Sequence, residues 1–170
     1  MSLPELDAHA RASFKKFTKL LPRSEDASLV ILKLHLLVEE QVRAFIDERL
    51  SNRRALEAAD LECHQAICLA EALSTEDIHP NVWEAARKLN SLRNQIAHNL
   101  EPKGIVDRMI NISGLIGLPP DLKKMEGKSP EAAALANLIF TVSVLHAEIS
   151  LYVKKRPALI LKLIADEDDA

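Results

Sequence analysis

The sequence predicts a single all-α domain, and three observations carry that expectation. Of 170 residues, 48% are hydrophobic but only 4% are aromatic, and glycine occurs 4 times. Strands favour β-branched and aromatic side chains, whereas the Leu and Ala abundant here favour helices. Apolar residues also recur at spacings of three and four, which places them on one helical face. The length suits one compact domain with a real core. We therefore expect a bundle of about five to seven helices. Residues 1–23 form an N-terminal packing helix, 24–156 the bundle and 157–170 a C-terminal tail.

Phe14, Phe17 and Leu21 define the first helix, which Pro22 closes. Ser24 caps the second, with Glu25 and Asp26 in its first turn, where acids complement the helix dipole; it runs to about Leu50. On a wheel of about 100° per residue, Val30, Ile31, Leu32, Leu34, Leu36, Leu37, Val38, Val42, Phe45 and Ile46 cover most of its circumference. This helix should be central. A shorter helix spans about Ala58 to Leu73. His79-Pro80 announces the next, with Pro in the first turn and Trp83, Leu89, Leu92 and Ile96 inward. A weaker helix covers about Val106 to Leu115, and Gly117, Pro119, Pro120 and Gly127 mark an exposed loop. Ser129-Pro130-Glu131 then supplies a cap, a first-turn proline and a first-turn acid for a long helix to about Lys155. Leu29–Leu50 and Ala132–Tyr152, with the widest apolar arcs, should bury the most surface.

Composition excludes several functions. The net charge of −3 gives no general attraction for nucleic acid, although Arg43, Arg49, Arg53 and Arg54 form a local basic cluster. Cys63 and Cys68, the only cysteines, are five apart, which is neither a redox pair nor a zinc spacing. With no signal-type opening, they suggest a reduced, cytoplasmic setting. His64 and Cys68 can share a helix face, but two ligands do not complete a tetrahedral zinc site. Neither a metal nor a cofactor is expected. The longest uncharged, His-free stretch, Ala132 to Leu145, has 14 residues, short of the roughly 20 that cross a bilayer. It reads as a buried core helix, so no membrane partner is expected. No Gly-rich phosphate loop or nucleophile elbow occurs, which leaves a nucleotide-binding fold or a serine hydrolase unsupported.

Arg93-Asn94-Gln95-Ile96-Ala97-His98 is the most informative segment. It sets a permanent cation, an amide and the side-chain type that exchanges protons near neutrality within two turns, just before a helix stop at Pro102. With Leu89 at zero, Leu92 and Ile96 fall at about 300° and 340°, Arg93 near 40°, Asn94 near 140° and His98 near 180°. His98 therefore points away from the core stripe. Its bland alternative is a helix-end cation interacting with the C-terminal dipole, worth about 0.3 to 1 kcal/mol. Glu39 is the second oddity, lying within the apolar arc of the second helix one turn from His35. A buried carboxylate there needs a partner, and Arg93, at the margin of its own stripe, is the expected one. An internal clamp between two helices would explain that pair without any chemistry.

The string Leu92-Arg93-Asn94-Gln95-Ile96-Ala97-His98-Asn99 resembles the motif of the HEPN superfamily, small helical domains of prokaryotic defence, toxin and RNA-processing systems. It fits an Arg, then a polar residue, then a His with four to six residues between Arg and His. It sits late in a helix, downstream of a long apolar helix containing Leu36-Leu37-Val38-Glu39-Glu40. The resemblance covers roughly Leu29 to Leu100; the last long helix matches only as architecture. It implies a helical bundle, often a homodimer whose two motifs meet, and for active members a metal-independent endoribonuclease. Carried over, Arg93 and His98 would be the catalytic pair, Asn94 would orient the imidazole or the phosphate, and Glu39 would support the motif. The partners implied are RNA, a second copy of the chain or a cognate partner protein. Many relatives are instead noncatalytic regulatory or antitoxin-coupled modules, some resembling the mannitol-operon repressor group, a transcriptional regulator. Few aromatics and an acidic balance offer little surface for single-stranded RNA, which is usually held by basic grooves and stacking rings.

Overall fold

A computed structural model describes residues 8–24, 26–74, 78–117, 127 and 129–154, and every regular element among them is helical. The order is α1 (Ala8–Leu20), α2 (Ala27–Asp47), α3 (Arg54–Glu57), α4 (Cys63–Ala72), α5 (Pro80–His98), α6 (Ile105–Leu115) and α7 (Pro130–Val153). The all-α expectation holds, and the seven described helices fall within the expected range. The C-terminal tail and the prolines of the loop after Gly117 lie outside the described residues.

Two helices organise the core, as their apolar arcs required. Eleven residues of α2 and ten of α7 are buried, more than in any other described helix. α7 packs against α1, α2, α5 and α6, while α2 also meets α4 and α5. By length and composition α7 is apolar enough to cross a bilayer, which the 14-residue reading missed. In this fold its buried positions face other helices. Ser129 caps it as expected, its hydroxyl accepting from the Ala132 N–H at 3.2 Å, with Pro130 in the first turn.

Local caps correct two boundaries. Asp26, not Ser24, caps α2: its carboxylate accepts from the N–H groups of Ser28 at 2.9 Å and Leu29 at 3.2 Å. Ser24 instead accepts from the Asp26 N–H at 3.1 Å, so two oxygens compete for the helix start and the ionised one wins. The helix expected over Ala58–Leu73 begins only at Cys63, after a separate short α3 that ends at Glu57. Asp60 turns the chain at φ 44°, and a capping box between Glu62 and Gln65 begins α4 afresh. Finally, Phe14 and Leu36 are about half exposed, so the apolar arcs of α1 and α2 are wider than the faces they bury.

The α1–α2–α7 junction contains a small polar knot. Gln41 Oε1 accepts from Ser13 at 3.3 Å and from Ser150 at 2.9 Å, joining all three helices. Beside it, His146 on α7 is buried with its ring centroid 4.9 Å from that of Phe17. Burial pushes its pKa down to about 4, with Glu40 acting the other way and His9 and Lys16 adding to the depression. The sign follows from linkage. Unfolded, this imidazole takes a proton near its ordinary value of 6.5, so acid favours the unfolded chain. The stabilising contribution is whole above that value and is lost as pH falls towards about 4. We expect up to about 3 kcal/mol from this group. Denaturant melts across that window should show the loss, and His146→Leu should flatten it.

Candidate active site

The motif helix α5 begins with His79 as cap, its Nδ1 accepting from the Asn81 N–H at 3.2 Å, and Pro80 in the first turn. Val82, Trp83, Ala85, Ala86, Leu89 and Leu92 are buried, which fixes the helix's rotation. The rest of the motif must then face outward or sideways, as the wheel required. Arg93 and Asn94 are half-buried and His98, the last helical residue, is exposed. Ile96 is only partly buried, less than expected. Beyond His98, Asn99 Nδ2 donates to the Gln95 carbonyl at 2.8 Å, and Gln95 Nε2 donates to the Lys103 carbonyl at 2.8 Å. These bonds fasten the chain that leaves the motif.

Arg93, Asn94 and His98 line one solvent-open cleft of about 370 Å³. Its other walls are His35 and Glu39 from α2, and Glu62, Cys63 and His64 at the start of α4. Asn90, one turn before Asn94, closes the floor: its Oδ1 lies 3.0 Å from His35 Nε2, both side chains buried. The four sequence-singled residues Glu39, Arg93, Asn94 and His98 are thus brought together. The sequence reading missed Asn90 and Cys63 as members. Asn90 was detectable, since on the wheel it lies near 100°, between Arg93 and Asn94.

The expected Glu39–Arg93 pair is not formed. Glu39 Oε1 accepts from Arg43 Nε at 3.0 Å and Nη2 at 2.7 Å, one turn along the same helix. Its other oxygen lies 3.8 Å from His35 Nδ1. A partner at i+4 is already held in register, and the carboxylate, 19% exposed, keeps some water. Both facts remove the need for a cation from another helix. Arg93 Nη1 donates to Asn94 Oδ1 at 2.9 Å, and among the described residues its guanidinium joins no ion pair. Because solvent screens the Glu39–Arg43 pair, Glu39→Gln should cost less than about 1 kcal/mol rather than the several expected of a buried pair. A denaturant titration against wild type measures that difference.

Burial shapes the protonation of the floor. It lowers the pKa of His35, opposed by the Asn90 bond and the Glu39 charge. It raises the Cys63 thiol to about 11, with Glu39 adding to the rise. His35 is therefore a neutral imidazole and Cys63 a thiol, not a nucleophilic thiolate.

Much of the basic cluster read from the sequence is engaged or offset by acids. Arg43 is engaged with Glu39 and with the Leu61 carbonyl at 3.0 Å. Arg49 donates to the carbonyls of Phe45 at 3.2 Å and Tyr152 at 2.8 Å and lies over the Phe45 ring. A second hollow bearing Arg43 and Arg53 also presents Asp47, Glu57 and Asp60, which cancel its charge. The motif cleft is the better candidate. Comparison with protein-family profiles, curated proteins and solved structures finds no match for the chain.

Proposed function

We propose that this chain is a HEPN-like, metal-independent endoribonuclease that works as a homodimer. The observation that carries the reading is the open cleft in which Arg93, Asn94 and His98 meet, with the Arg93 guanidinium outside any described ion pair. A cation consumed by Glu39 would have favoured a structural clamp.

In the proposed reaction His98 takes the proton of an RNA 2′-hydroxyl. The 2′-oxygen forms its bond to phosphorus, and the bond from phosphorus to the 5′-oxygen breaks. A second imidazole, from the other copy of the chain, protonates that leaving oxygen. Two-fold symmetry brings like residues together and so provides an acid and a base from one residue type. Arg93 grips a nonbridging phosphate oxygen through its planar fork and offsets the charge that develops there. Asn94, bonded to Arg93, sets the direction of that fork. The products are a 2′,3′-cyclic phosphate and a 5′-hydroxyl.

Purified protein incubated with mixed single-stranded RNAs tests this. We expect cyclic-phosphate ends, formed equally well with chelator present. Intact RNA across varied substrates overturns the nuclease reading. Light scattering tests the assembly, and a monomer at high concentration removes the composite site. The exposed Leu29 and Leu36 of α2 favour a second reading if RNA stays intact. That reading is a noncatalytic regulatory or interaction module using the same face.

A further inference from the structure

We propose that a groove between α5 and α6 holds backbone phosphates of single-stranded RNA beside the motif cleft, with Lys103 and Arg108 supplying affinity where the cleft supplies chemistry. The groove, of about 540 Å³, is lined by Lys88, Ser91, Lys103, Asp107, Arg108 and Asn111. Three cations stand against one carboxylate. Lys103 and Arg108 are exposed, and among the described residues neither side chain joins an ion pair or a hydrogen bond. Lys88 lies 3.7 Å from Glu84, a loose pair in which both side chains are 41% exposed, so solvent screens it. Ser91 and Asn111 add a hydroxyl and an amide, groups that donate to phosphate oxygens.

The balance of charge differs in the other two hollows. The motif cleft holds one permanent cation, Arg93, with two carboxylates, Glu39 and Glu62, on its walls. The hollow bearing Arg43 and Arg53 carries three acids, Asp47, Glu57 and Asp60. A polyanionic strand binds chiefly through the phosphates it has neutralised, so on a chain of net charge −3 it settles where cations exceed acids. Among the three hollows that place is the α5–α6 groove. Its position suits the motif. With Leu89 at zero on the wheel, Ser91 falls near 200°, within about 20° of His98 and roughly 10.5 Å from it along the axis. A stacked strand rises about 3.4 Å per nucleotide, so about three nucleotides cover that distance. Lys103 is fixed alongside, because Gln95 of the motif donates to its carbonyl at 2.8 Å. A strand lying along the outward line of α5 thus meets Lys103 and Arg108 on one side and reaches His98 at the helix end.

Fluorescence anisotropy with a short labelled 2′-O-methyl RNA, which cannot be cut because its 2′-oxygen carries no proton, measures binding apart from turnover. Lys103→Ala and Arg108→Ala should each weaken binding roughly fivefold at about 0.1 M salt, and each should flatten the slope of log affinity against log salt by about 0.7. Asp107→Asn should tighten it. Arg53→Ala removes the same charge from the acid-rich hollow and should change little, and thermal melts check that each variant is folded. The proposal is overturned if wild type does not bind the strand, if the Lys103→Ala and Arg108→Ala proteins bind as wild type does, or if Arg53→Ala weakens binding as much as they do. The groove rests on the RNA reading for its ligand, yet the two fail separately. A protein that binds through Lys103 and Arg108 but leaves unmodified RNA intact keeps the groove and loses the nuclease. One that cuts RNA while both variants bind and cut unchanged keeps the nuclease and loses the groove.

Discussion

Trp83→Ala is expected to remove about 3 to 5 kcal/mol of stability, a large share of what a domain of this size possesses. Trp83 is 1% exposed on α5 and meets the Phe45 ring of α2 edge-on, with centroids 5.4 Å apart. The other face of that stack is held by Arg49, whose guanidinium carbon sits 3.3 Å from the Phe45 centroid. Arg49 in turn donates to the Tyr152 carbonyl near the end of α7. Deleting the indole leaves a cavity where α2, α5 and α7 are tied together, and close-packed neighbours collapse into it only in part. Trp83→Phe should cost much less, because the buried indole N–H has no hydrogen-bond partner among the described residues and its removal strands nothing. Chemical unfolding followed by circular dichroism distinguishes the two; equal and small losses would show that the stack is not a keystone.

Much of this architecture was legible in the residues because helix periodicity and caps are local signals. Pro80 and Pro130, each behind a residue whose side chain accepts from the first-turn backbone, mark two helix starts in the sequence and in the fold. The motif's outward rotation followed from Leu89 and Leu92 alone. What was not legible depended on competition or on long range. Both Ser24 and Asp26 are capping residues, and only their geometry selects Asp26. Glu39 was correctly seen to need a partner, but Arg93 and Arg43 both qualify by charge. The nearer one, on the same helix, costs less order to recruit and takes the place. Cys63 could not be joined to His35 from spacing, since 28 residues and the break at Asp60 separate them.

If the chain cuts RNA as proposed, His98→Ala should lower cleavage by roughly 10²- to 10⁴-fold, the usual contribution of a positioned acid or base, and leave RNA affinity nearly unchanged. The reason is where the interaction is made. A proton in flight exists only in the transition state, so its loss falls on turnover and not on ground-state binding. His98 is exposed at the end of α5, and neither its side chain nor its neighbours Ala97 and Asn99 contribute to the core. The substitution should therefore leave the thermal unfolding curve in place, which separates lost chemistry from lost fold. Arg93→Lys is the companion change. It keeps the charge but replaces the fork that now bonds Asn94 with a point ammonium, so binding and turnover should both fall. A drop in cleavage for His98→Ala with RNA affinity intact, beside a drop in both for Arg93→Lys, assigns the proton to one residue and the phosphate to the other. If His98→Ala cuts as fast as wild type, the imidazole is only a helix-end cation and the catalytic assignment of the motif is wrong.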